Sequence, residues 1–230
     1  MLRRSLLAEF LGSAFLGAVV IGSGIAAHRV APDSLGLALL INAGATALGL
    51  YTIILMFGAV SGAHFNPVLS LVDASLRGIS WARAGAYIPC QLAGCAAGTI
   101  LANAMFALPA VTISAKHRAS PAHLLGEVVA TFGLMLVIFA LARSKRIASI
   151  PAAVGAYIGS ACFFTSSTSF ANPAITLGRT LSATFAGIAP ASVPAFVVAQ
   201  LVGGALAVVV LHVLYRDVDA TAGEVLVPHG

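Results

Sequence analysis

Six apolar runs restrict this chain more than any other feature in it. They fall at about 5–27, 34–57, 81–106, 121–142, 149–164 and 190–215, and the fifth is the shortest. About 20 apolar residues wound as a helix match the ~30 Å hydrocarbon core of a bilayer. Inside lipid every backbone N–H and C=O needs a partner within the protein, which leaves helices and closed barrels. Runs this long and this continuous point to helices. Only 8% of residues are charged, where soluble domains run near a quarter. The net charge of +5 comes from basic residues scattered between apolar runs, so no patch suited to nucleic acid forms. Cys90, Cys95 and Cys162 lie in apolar stretches without metal-ligand spacing, and they read as small buried hydrophobes. The first 27 residues carry Arg3 and Arg4 ahead of an apolar run, yet that run is too long for a signal peptide and contains Glu9. It reads as a retained first span.

Two segments break the pattern. Asn66-Pro67 and Asn172-Pro173 each read as a helix start, with Asn as N-cap and Pro at the first helical position. The helices they open, at about 66–76 and 172–184, cover only half of a bilayer at ~1.5 Å per residue. They are expected as half-helices entering from opposite sides, with the asparagine NH2 groups left free to face outward. The irregular stretches ahead of them, 58–65 and 165–171, are tolerated at membrane depth only beside protein or water. These loops are therefore expected to line a cavity.

The halves resemble each other. Glu9 matches Glu127, Asn66-Pro67 matches Asn172-Pro173, and Gln91-Leu-Ala-Gly matches Gln200-Leu-Val-Gly. Three spans per half is an odd number, so the second copy is inserted upside down. The expectation is one channel domain over 1–230, with inverted repeats at about 1–113 and 118–216 and a short tail at 217–230. Placing the N-terminus in the cytoplasm puts eight basic residues inside and Arg29, Lys116, Arg118 and Arg179 outside, which favours both termini cytoplasmic. The implied fold class is an all-α membrane protein of six transmembrane helices plus two half-helices.

These residues carry a family resemblance. Six spans, paired Asn-Pro boxes, Ser61-Gly-Ala-His-Phe-Asn-Pro67 and glutamates in spans one and four resemble the aquaporin, or major intrinsic protein, family. The resemblance covers about 7–215. It implies a right-handed bundle and a homotetramer in the cell's plasma or inner membrane. It also implies a passive channel for water and small neutral solutes, with no enzymatic activity, cofactor or metal. Asn66 and Asn172 are then the pore asparagines, and Pro67, Val68, Pro173 and Ala174 complete the boxes.

Two departures follow. Val68 replaces the usual Ala of the first box, and Ile175 stands where most members place a filter Arg. Counting from the boxes gives Thr46, Ser160, Ser169 and Ile175 as filter positions, an uncharged set, with Gly159 or Ala161 as alternatives to Ser160. Such a filter is expected to be wide, admitting polyols or metalloid hydroxides, and it resembles bacterial aquaporins linked to arsenic resistance. Arg179 lies one helical turn beyond Ile175, and its expected place is the outer mouth, reaching over the filter or snorkelling to headgroups. Glu9 and Glu127 are expected to accept hydrogen bonds from the loops and hold them open, with His64 as a fixed loop residue. A secondary transporter is the competing reading, since it too uses inverted repeats and broken helices.

Overall fold

The structure, a computed structural model, describes residues 2–215; the expected tail and Arg216 lie outside the described residues. Eight α-helices follow in order among them: α1 (Leu2–Val30), α2 (Leu35–Ser61), α3 (Pro67–Ser75), α4 (Trp81–Met105), α5 (Pro121–Arg143), α6 (Ile150–Phe164), α7 (Pro173–Gly178) and α8 (Val193–Leu214). Six helical segments are long and apolar enough to span a membrane. The two that are not, α3 and α7, begin at the Asn-Pro pairs. α7 ends sooner than expected, because the chain tightens into a 3-10 turn at Arg179–Leu181 and leaves helical geometry at Ser182.

The packing repeats itself. α1 packs on α4 as α5 packs on α8, and α1 on α2 as α5 on α6. Each half-helix also packs across the halves, α7 on α4 and α3 on α8. This is an all-α membrane fold with two half-helices related as an inverted repeat.

Small residues set the helix spacing. A Cβ on Gly98 would collide with the Ala14 carbonyl, and one on Gly94 with the Phe10 carbonyl. Without those side chains the α1 and α4 backbones approach closely, as packing in lipid requires in the absence of a hydrophobic drive between helices. Val68, the departure in the first box, meets a matching gap. A Cβ on Gly204 would come within 2.5 Å of Val68 Cγ1, so the extra methyl groups are accommodated by a glycine of α8.

Candidate functional site

The site starts from the two N-caps. Asn66 Oδ1 accepts from Val68 N at 2.9 Å, and Asn172 Oδ1 accepts from Ala174 N at 2.8 Å and Ile175 N at 3.4 Å. Each amide then reaches across to the other half. Asn66 Nδ2 donates to Ala171 O and Asn172 Nδ2 to Phe65 O, both at 2.8 Å. The half-helices therefore meet N-terminus to N-terminus and are tied together there. An NH2 group holds two donors, so one on each asparagine is spent on this tie. The sequence left both free; the structure leaves one for a solute. Both asparagines line the central cavity.

The loops leading to these caps hold unusual backbone. Ala63 (φ 52), Phe65 (φ 49), Ser169 (φ 49) and Ala171 (φ 48) are all left-handed and none is glycine. Left-handed conformations cost roughly 1–2 kcal/mol per residue, so something must hold them. Glu9 Oε1 accepts from Ser61 Oγ at 2.6 Å and His64 N at 3.0 Å; Oε2 accepts from Phe65 N and Gln91 Nε2, both at 2.8 Å. In the other half Glu127 accepts from Phe170 N at 2.8 Å, Ala171 N at 2.9 Å and Gln200 Nε2 at 2.6 Å. Both carboxylates are fully buried behind the loops and neither lines the cavity.

Gln91 and Gln200 complete the pattern by donating to Ser70 Oγ and Thr176 Oγ1, each at 2.9 Å. Those hydroxyls donate in turn to the Asn66 and Asn172 carbonyls. The repeat comparison had marked the glutamines only as matching positions. Their spacing relative to the glutamates was the available signal for this role.

His64 sits on the same framework. Its Nδ1 lies 2.9 Å from Ser70 Oγ, its Nε2 lies 3.4 Å from Asp73 Oδ2, and its ring meets Tyr87 edge-on. It lines the cavity as a pinned side chain.

The cavity runs along both loops, with room for water-sized solutes over about 80 Å³. At ~10–15 Å³ per water centre this holds a file of about half a dozen molecules. Its lining joins polar residues, among them Thr46, His64, Asn66, Ser169 and Asn172, to apolar ones that include Ile54, Ile138, Val154 and Ile158.

Thr46, Ser169 and Ile175 all line it, while Ser160 does not. Ser160 is exposed on the outer face of α6, with its hydroxyl donated to Tyr157 O at 2.8 Å. The inward face of α6 carries Val154, Ile158 and Cys162 at four-residue spacing, and neither Gly159 nor Ala161 lines the cavity. Ser160 and Cys162 lie half a turn apart on a helix apolar on both faces, so the local sequence does not mark which of them turns inward. Cys162 is thus more than a buried hydrophobe.

Arg179 also differs from the snorkelling expectation. It is 6% exposed and lines the cavity. Its guanidinium lies face-on to Phe170, 3.4 Å from the ring centroid, and its Nε donates to the Ala186 carbonyl. The cavity lining is therefore not free of charge. The guanidinium packs on Phe170, while Ile175 holds the position directly after the box.

Comparison with known proteins adds an independent line. The model of the family described as "Major intrinsic protein" matches residues 1–171, about three quarters of the chain. The chain belongs to the major intrinsic protein family. This member is a membrane channel and no enzyme. It is 45% identical over 215 residues to aquaglyceroporin AqpS of Rhizobium meliloti (strain 1021), covering 94% of this chain and 91% of that protein. Over 108 residues it is 34% identical to aquaporin NIP3-1 of Oryza sativa subsp. japonica, covering 46% of this chain and 35% of the relative. Among solved structures, the aquaglyceroporin from Plasmodium falciparum shares the fold with a TM-score of 0.74 at 20% identity, covering 96% of this chain and all of that one. The family match stops one residue before Asn172, so the second box rests on the geometry above.

Proposed function

We propose that this protein is a passive aquaglyceroporin-type channel of the plasma or inner membrane, a homotetramer with both termini cytoplasmic. It conducts water and small uncharged solutes, with polyols and metalloid hydroxides such as arsenite among them. The observation that carries the reading is the cavity of mixed polar and apolar lining at the junction where Asn66 and Asn172 tie the half-helices together.

A polyol presents hydroxyls on one edge and C–H groups on the other. The polar lining replaces the hydration of the hydroxyls through loop carbonyls and the remaining N–H of each asparagine. The apolar lining of Ile158 and Ile175 accepts the C–H edge at little cost. Directly after the box, Ile175 leaves the passage wider than an arginine would, and Thr46 and Ser169 supply small hydroxyls.

Cations are refused for two reasons. Arg179 places a fixed positive charge at one end, and the facing half-helix N-termini add partial positive charge near the middle. Anions lose hydration against the apolar lining without full compensation. A water bound to Asn66 and Asn172 receives hydrogen bonds and cannot pass a proton along the file. Coupled transport would need an ionisable group poised between states. Glu9 and Glu127, both within spans, are instead fully committed to the loops.

The test is reconstitution of the unmodified protein beside Ile175→Arg, comparing water, glycerol and arsenite uptake. Restoring a guanidinium directly after the box should abolish glycerol and arsenite flux first and spare water. Equal loss of all three, or no loss, would sink the wide-filter reading.

A further inference from the structure

The mouth beside Arg179 holds positive charge that no salt bridge among the described residues neutralises. Arg179 and Arg118 share one aromatic ring, with guanidinium carbons 3.4 Å and 5.4 Å from the Phe170 centroid. Each is anchored through Nε alone, Arg179 to the Ala186 carbonyl and Arg118 to Gly187 O at 3.1 Å. The Arg118 backbone is held as well, its N–H donating to Ser192 Oγ at 3.0 Å. Lys116 stands nearby, with Nζ donating to Phe185 O at 2.9 Å.

Among the described residues no carboxylate pairs with any of the three, whereas His64 pairs with Asp73 in the other half-helix framework. The carboxylate that faces them is Glu127, and its oxygens are occupied by the loop and Gln200. Among the described residues the terminal nitrogens of Arg179 and Arg118 have no acceptor. Arg179 is more than nine-tenths buried and lines the cavity. Burial, and after it the positive charges of Arg118 and Arg179, hold Lys116 below the usual lysine range.

Like charges held together in a partly desolvated place favour an anion. Planar guanidinium forks fit the oxygens of a tetrahedral oxyanion in particular.

We propose that Arg118 and Arg179 form a site for a small tetrahedral oxyanion such as phosphate, which seats at this mouth and reversibly closes the channel. The inference rests on the channel reading. Phosphate chemistry has two sources, the free ion and a lipid headgroup. The buried position of Arg179 inside the cavity favours the free ion.

The test has two readouts. Calorimetric titration of phosphate into the protein in maltoside micelles, which contain no phosphate group, should show saturable binding. Phosphatidylglycerol added to the micelles should not compete; competition would assign the site to a headgroup and overturn the free-ion proposal. Glycerol swelling of phosphatidylcholine proteoliposomes, with phosphate on both sides and ionic strength matched by chloride, should slow as phosphate saturates.

Arg118→Gln should keep its glycerol flux without phosphate, yet need about tenfold more phosphate for the same block, from loss of one charge-assisted contact. Protein that conducts glycerol but neither binds phosphate nor is slowed by it overturns the site alone. Protein that conducts no glycerol in phosphate-free buffer overturns the channel reading instead.

Discussion

Replacing Glu127 tests whether buried carboxylates hold the re-entrant loops. Its Oε1 accepts from Phe170 N, and its Oε2 accepts from Ala171 N and Gln200 Nε2. In Glu127→Gln the amide keeps one oxygen. With that oxygen toward Ala171 and Gln200, only the Phe170 N–H loses its acceptor. A buried donor left unpaired costs about 1–3 kcal/mol. The left-handed residues Ser169 and Ala171 (φ 49 and 48) also lose part of what holds them. In Glu127→Leu all three donors are stranded, about 3–9 kcal/mol in total, which approaches the whole stability of a typical domain. Thermal unfolding in detergent, followed by tryptophan fluorescence and gel filtration, separates the cases. Glu127→Gln should unfold lower by about 2–4 °C per kcal/mol lost, with slower glycerol flux. Glu127→Leu should yield little folded protein. A Glu127→Leu variant as stable as the unmodified protein would refute the reasoning.

Two further outcomes follow from the geometry. Gly98→Val must push α4 away from the Ala14 carbonyl, so it should destabilise by about 1–3 kcal/mol, as overpacking does; an unchanged unfolding temperature would contradict the close approach. Cys162 lines the cavity while Cys95 does not, so a small methanethiosulfonate reagent should slow glycerol flux. Cys162→Ser should abolish that sensitivity and Cys95→Ser should leave it, with the reverse result contradicting the placement of α6.

How much of this was legible in the sequence depended on whether a residue carries a local signal. The spans announced themselves because lipid demands length and apolarity together. The half-helices did so because Asn-Pro fixes a helix start. The end of α7 did not, since nothing in the local sequence marks the 3-10 turn at Arg179–Leu181. The face of α6 was misread for a related reason. Ser160 and Cys162 differ by half a turn, and a helix that meets lipid on one side and an apolar pore wall on the other has no polar stripe to set its register. Arg179 required tertiary knowledge, because its direction is fixed by Phe170 from the preceding loop and by Ala186 from the following one.

The account stands most directly on the kinetics of glycerol entry into proteoliposomes holding the purified protein. It predicts a swelling rate that rises linearly with the glycerol gradient, needs no proton or sodium gradient, and comes with no ionic conductance across the same membrane. Saturation at low glycerol together with dependence on an ion gradient would mark a coupled transporter and contradict it.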